Sequence, residues 1–265
     1  MIEWRVGGVP YIKAPTSKKT NPSDAQTHSL KVSFKSNGCM TQGAFSQISY
    51  WNRVAHEKRF SHPLHLDWLA RYLDTNSRIL DYGCGYGRTL ADLSQAGFRN
   101  LIGVDFSEAM LARARMSLPN ANELHTNSLS ISLVRNDGGT LPFQNDSFDA
   151  MLLFAVLTCI PDSKEQWSLL AEAQRVLRPA GLLYISDVLV NDDQRNRERY
   201  ERGFGKYKCY GVFELPEGVV VRHHQREWIE ELLSPFQQSE YEPFTVTTMN
   251  GNVSAAFQYL GRKPG

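Results

Sequence analysis

From about residue 45 onward the apolar positions fall into short runs alternating with helix-spaced patterns. Tyr50, Trp51 and Val54, then Leu64, Leu66, Trp68, Leu69 and Leu73, fit helices broken at Pro63. Arg78–Tyr82 predicts a strand, Thr89–Ala96 a helix, Asn100–Asp105 a strand and Glu108–Ser117 a helix, an order that argues for a parallel sheet. A third strand falls within Leu129–Val134, and Phe148–Val156 is apolar enough to be a central strand buried on both faces. Ser163–Leu177 predicts an amphipathic helix that stops at Arg178-Pro179-Ala180-Gly181, before a fifth strand at Leu182–Asp187. Glu242–Thr248 and Ser254–Leu260 flank Asn250-Gly251, a pair preferred in tight antiparallel hairpins. The predicted fold class is therefore α/β: a doubly wound sheet with parallel strands 1–5, a C-terminal antiparallel β-hairpin, and an insertion at about 188–235 after strand 5.

Residues 1–40 mix Gly, Pro, Lys, Ser and Thr without sustained periodicity, which predicts an arm that is flexible or folds over a ligand, beside one domain at 41–265. Length adds that 265 residues can bury a substantial core. Charge narrows the partners. With 29 Lys+Arg against 28 Asp+Glu, the net charge of +1 offers no large field for nucleic acid or acidic lipid, so a small-molecule substrate is expected. The longest apolar run, Met151–Ile160, is about half a membrane span. The N-terminus turns polar after Glu3 and Arg5 without the apolar core of a secretory signal, so a cytoplasmic location is expected. Cys39, Cys84, Cys159 and Cys209 are widely scattered with no metal-site spacing; they read as reduced thiols, Cys84 as a small residue filling a turn, and no metal is expected.

The chemistry concentrates after the first strand. Ile79-Leu80-Asp81-Tyr82-Gly83-Cys84-Gly85-Tyr86-Gly87-Arg88 places a glycine-rich loop between a strand and a helix, where glycine permits a sharp turn and close approach of a ligand to the backbone. Asp105 closes the second strand about twenty residues later, where a carboxylate can accept both hydroxyls of a ribose; capping the helix that starts near Ser107 is the alternative reading. A dinucleotide enzyme would share this geometry, so these features alone do not identify the cofactor.

Four blocks together resemble the class I S-adenosylmethionine-dependent methyltransferase superfamily, in its small-molecule branch, over residues 45–265: the loop at 79–88; Asp105-Phe106-Ser107 with Met110 and Leu111; Leu141-Pro142-Phe143-Gln144-Asn145-Asp146-Ser147-Phe148-Asp149; and Arg175-Val176-Leu177-Arg178-Pro179-Ala180-Gly181. The resemblance implies a Rossmann-like fold with S-adenosylmethionine as cofactor. It implies that Asp81 and the backbone at Gly83 and Gly85 hold the amino-acid end, that Asp105 holds the ribose and that Phe106 lies against the adenine. Asp137 resembles the carboxylate that accepts the adenine amino group, with Asn136 close enough to be the partner instead, and Gly138 would add a backbone contact. Phe154 and Ala155 would lie beside the methionine part, and Tyr50-Trp51 resembles a gate over the cofactor, with core packing as the alternative. The family's second glycine after the Arg-Pro pair is Ala180 here, and Thr158-Cys159 replaces a common His pair, so no catalytic role is carried to those two positions.

In this fold the segment 188–235 would act as a lid over an acceptor pocket. Its aromatics can stabilise a sulfonium by cation–π attraction or simply pack the subdomain. The candidate catalytic residues are Tyr207, Tyr210, His223 and His224. Val212–Leu215 and Val219–His223 predict two short strands around Pro216-Glu217-Gly218, so the adjacent His223 and His224 would point to opposite faces and at most one faces a common pocket, where imidazole could act as a general base. The charged run Arg195–Arg202 reads as a solvated helix face. The leading function is methyl transfer to a small metabolite, yielding S-adenosylhomocysteine. The alternatives are cyclisation of S-adenosylmethionine to azetidine-2-carboxylate and methylthioadenosine, and non-catalytic binding of the cofactor. Oligomeric state is not legible.

Overall fold

The alternating runs assemble into a seven-stranded sheet of order 3-2-1-4-5-9-8. The structure is a computed structural model that describes residues 44–118 and 129–265. The predicted arm at 1–40 lies outside the described residues. Helices α1 (Ala44–Val54) and α2 (Leu66–Ala70) precede β1 (Arg78–Tyr82), α3 (Arg88–Gln95), β2 (Asn100–Asp105), α4 (Glu108–Ser117), β3 (Ser130–Arg135) and β4 (Phe148–Phe154). Then follow α5 (Ser163–Val176), β5 (Leu177–Val188), α6 (Gln194–Tyr207), the short strands β6 (Val212–Glu214) and β7 (Val220–Arg222), α7 (Arg226–Leu233), β8 (Gln237–Thr247) and β9 (Val253–Arg262).

Strands β1 to β5 run parallel, and β9 inserts antiparallel between β5 and β8. The sheet is covered on both faces, which is why its central strands are almost continuously apolar. On one face Leu90 and Leu93 of α3 and Leu111 of α4 pack with Trp68 and Leu69. On the other, Leu169 and Leu170 of α5 meet Ile229 and Leu232 of α7. The carboxyl ends of β1, β2 and β4 therefore converge at the crevice where strand order reverses, the place where such sheets bind ligands.

Three boundaries differ from expectation for local backbone reasons. β4 stops at Phe154 because Ala155 adopts φ 56. β5 starts at Leu177 rather than Leu182, and the chain bulges in between: Leu177 pairs with Phe148 while Leu182 pairs with Ala150. Ala180 takes φ 62 in that bulge, a conformation that costs an alanine roughly 1–2 kcal/mol. The Asn250-Gly251 turn is wider than a two-residue hairpin: Thr248 N–H donates to Asn252 O (2.8 Å) and Gly251 N–H to Thr248 O (2.8 Å).

The insertion folds as α6 beside a two-stranded antiparallel ribbon, β6 with β7, followed by α7. Gly203 permits this contact, because a side chain there would run into the Val212 carbonyl. Gln47 Nε2 donates to Val220 O (2.7 Å), and Tyr50, Trp51, Tyr200, Phe213 and Val219 share one apolar cluster, so α1 and the insertion pack together. Among the described residues no helix is long and apolar enough to cross a membrane.

Candidate active site

The loop after β1 is fastened to the end of β2. Gly83 N–H (2.7 Å) and Cys84 N–H (3.0 Å) both donate to Val104 O, and Gly85 N–H donates to Asp105 Oδ2 (2.8 Å). Gly83 and Gly85 sit at φ 73 and 53, where a side chain is strained. A Cβ on Gly85 would collide first with the ring of Phe60, which stacks on Tyr86 at 5.0 Å. The need for glycine at that position thus comes from the protein's own packing as well as from any ligand. Cys84 is buried, and burial pushes its thiol well above the usual range, so it fills the turn as an inert thiol.

Two carboxylates dominate the electrostatics. Asp105 accepts from Gly85 N–H through Oδ2 and from Ser107 N–H through Oδ1 (2.8 Å), while Ser107 itself caps α4 by accepting from Met110 N–H. The Phe106 amide also acts on this carboxylate, which keeps acceptor capacity beyond these bonds. Burial raises its pKa, against the pull of the Ser107 and Gly85 amides. Asp81 is fully buried, and its Oδ2 has no hydrogen-bond partner among the described residues. Burial pushes Asp81 up to about 7, opposed by Arg88 and reinforced by Asp105. A buried carboxylate oxygen without a donor is costly, and a bound cation would relieve it.

Asp105 borders a cavity of about 800 Å³, toward the upper end of the range for small-molecule sites. Tyr50, Gly83, Gly85, Asp105, Phe106, Asp137, Gly138 and Phe154 all line it. Asp81 does not line it directly, but its neighbours Tyr82 and Gly83 do. Asp137 pairs with Arg135 (2.9 Å), and Asn136 Oδ1 accepts from Gly138 N–H (3.0 Å); both side chains line the cavity. Tyr50 is buried with its hydroxyl unpartnered, and burial pushes it up to about 12. Thr158 and Cys159 also line the cavity, and burial raises the Cys159 thiol. No group of three or more His, Cys, Asp or Glu suited to a metal occurs among the described residues.

Of the four candidate catalytic residues only His223 lines the cavity, so the placement expected for Tyr207 and Tyr210 is corrected, while one histidine of the two faces it. His224 is buried away from it: its Nδ1–H donates to Val188 O (3.1 Å), its Nε2 accepts from Gln166 Nε2 (3.0 Å), and burial lowers it to about 3. Gln166 in turn accepts from Trp228 Nε1 (2.7 Å), so His224 is a packing group between β5, α5 and α7. Tyr207 packs with Val212 and Val220, its hydroxyl 3.2 Å from Glu214. Tyr210 follows the left-handed C-cap Lys208 and stands 36% exposed at the edge of Tyr200. The expected opposition of the two histidines does hold.

His223 Nδ1 lies 2.7 Å from the Tyr200 hydroxyl, which also accepts from Asn191 N–H (3.2 Å). In the tautomer whose Nδ1 accepts the Tyr200 hydroxyl proton, the ring keeps its own proton on Nε2 and donates there. Burial and the neighbouring Arg199 hold its pKa well below the usual range. Arg195 and Arg199, expected on a solvated helix face, both line the cavity. Their i, i+4 spacing, which puts both on one helix face, was the available signal.

Residues 80–185 match a family model described as a methyltransferase domain. An uncharacterized protein of Haemophilus influenzae is 33% identical over 132 residues, 48% of this chain, and the chain spans about half of that relative, 51%. A demethylmenaquinone methyltransferase of Staphylococcus haemolyticus is 26% identical over 207 residues, covering 72% of this chain and 79% of the relative. A solved S-adenosylmethionine-dependent methyltransferase from Methanosarcina mazei superposes with a TM-score of 0.69 at 25% identity, covering 76% of this chain and 98% of that one.

Proposed function

We propose, from the premise that this chain belongs to the class I S-adenosylmethionine-dependent methyltransferase superfamily, that it methylates a small-molecule acceptor inside the cavity under α6 and the β6–β7 ribbon. S-adenosylmethionine is the cofactor that membership implies. The observation that carries the reading is the pairing of an unpartnered, buried Asp81 oxygen with an Asp105 whose spare lone pairs face the cavity. That pair of acceptors fits a ligand with an ammonium and a ribose. Asp81 takes the ammonium, Asp105 the ribose hydroxyls, and Phe106 with the Asn136–Gly138 backbone flanks the adenine. When bound, the cofactor would supply a methyl group activated by its sulfonium.

The residues' contribution is alignment and exclusion of water, which can supply much of the acceleration in methyl transfer. Phe154, Trp51 and Phe213 wall the cavity, and their faces favour a cationic centre. His223, neutral and protonated on Nε2, orients an oxygen or nitrogen of the acceptor rather than removing its proton, so the acceptor brings its own free lone pair. The name of the staphylococcal relative supports a small organic acceptor.

Mass spectrometry of products formed from S-adenosylmethionine, alone and with a panel of small acceptors, tests this. The expected result is S-adenosylhomocysteine with an acceptor one methyl group heavier. Methylthioadenosine with azetidine-2-carboxylate from the cofactor alone would replace methyl transfer by cyclisation.

A further inference from the structure

Two arginines of α6, Arg195 and Arg199, line the cavity, with Asp193 as the carboxylate that acts on both. Arg199 stacks its guanidinium 3.8 Å over Phe213 and lies 3.4–3.5 Å from the His223 ring, and its Nε is buried without a hydrogen-bond partner. Burial lowers its pKa, outweighing the Tyr200 hydroxyl and the Asp193 carboxylate, which favour the charged form. Arg195 lines the same cavity one turn earlier. Neither forms an ion pair among the described residues. The nearby Asp193 is committed elsewhere: it accepts from Asn196 N–H (3.1 Å) and from the Asn196 side chain. Other arginines of α6 are satisfied, Arg202 by Glu198 (4.0 Å) and Arg197 by the Asp192 carbonyl.

A partly buried guanidinium left unpaired is destabilising, and one that faces a ligand cavity is compensated by the ligand's own charge. His223 Nε2–H adds a neutral donor beside it. Around these donors the cavity is apolar, with Phe213, Leu215, Val219, Val221 and Met249. We infer that the acceptor carries a carboxylate on an apolar body, with Arg199 clasping the carboxylate, Arg195 adding charge at the rim and His223 donating to the same oxygens. The planar fork of arginine matches two carboxylate oxygens at once. This inference rests on the reading of the cavity as an acceptor chamber, and it concerns binding alone, so it can be tested separately from methyl transfer.

The test uses the full chain loaded with S-adenosylhomocysteine and ligand-observed NMR titration of benzoate and hexanoate against benzamide and hexanamide. Each acid is expected to bind roughly 10–100-fold more tightly than its amide, the discrimination a charged hydrogen-bonding pair supplies. Arg199→Gln should erase that preference while leaving S-adenosylhomocysteine affinity unchanged, and Arg202→Gln, on the solvent side of α6, should preserve it. Equal or absent binding of acid and amide to the parent protein overturns the inference. So does a loss of S-adenosylhomocysteine affinity in the folded Arg199→Gln protein, because the arginine would then serve the cofactor's own carboxylate.

Discussion

Asp105→Asn is expected to weaken S-adenosylhomocysteine binding by about 3 kcal/mol, roughly two orders of magnitude in Kd. The carboxylate does two jobs at once. It accepts Gly85 N–H and Ser107 N–H at 2.8 Å each, which fixes the glycine loop against the start of α4, and it offers its remaining lone pairs to the cavity. An asparagine has one acceptor oxygen and one donor nitrogen, so its NH2 must face either one of those amides or the ribose. At least one charge-assisted bond is lost and one donor is set against another. Calorimetry measures the affinity, and a thermal melt shows that the variant is folded. Unchanged affinity in a folded variant removes Asp105 from the site.

The second large effect is one of pH. Asp81 in the free protein sits near pH 7 because burial disfavours its charge. A ligand ammonium against the unpartnered Oδ2 favours the carboxylate and lowers that pKa on binding. The sign follows: affinity is full above the free-protein pKa and falls as pH drops through it, where binding must first expel a proton. Between pH 8 and pH 6 the affinity of the parent protein for S-adenosylhomocysteine is expected to fall roughly tenfold, about one unit of pH below the pKa costing a factor of ten. Asp81→Asn should bind more weakly at pH 8 and lose that dependence. Comparing the two proteins removes the contribution of the ligand's own amino group. It also removes that of Asp187, which burial pushes up to about 7 as well but which lies outside the cavity. A parallel pH dependence in both proteins would show that Asp81 meets no ligand cation.

The half of the site built on β1 and β2 was legible because its signals are local. A strand, three alternating glycines and an aspartate at the next strand end are read within about 25 residues, and the hydrogen bonds of Asp105 close that same short circuit. The lid was only partly legible. Its two short strands and the opposition of His223 and His224 followed from period-two alternation, but the roles of its aromatics did not. Tyr207 is turned away by packing against Val212 and Val220, and Tyr210 lies past a left-handed cap whose position a sequence of Gly, Lys and Tyr does not specify. The inward face of α6 was hidden for a related reason. Alternating charges from Arg195 to Arg202 look solvated until Tyr200 and Gly203 are seen to seat the helix on β6, which aims Arg195 and Arg199 into the cavity.

A crystal structure with S-adenosylhomocysteine tests the central claim most directly. The account predicts the ribose hydroxyls on Asp105, the amino group at Asp81 Oδ2 and the adenine along Phe106, with the sulfur open toward the part of the cavity that holds His223 and Arg199. Density for the nucleoside outside this cavity, or a ribose held by other groups with Asp105 still bound only to backbone amides, would contradict it.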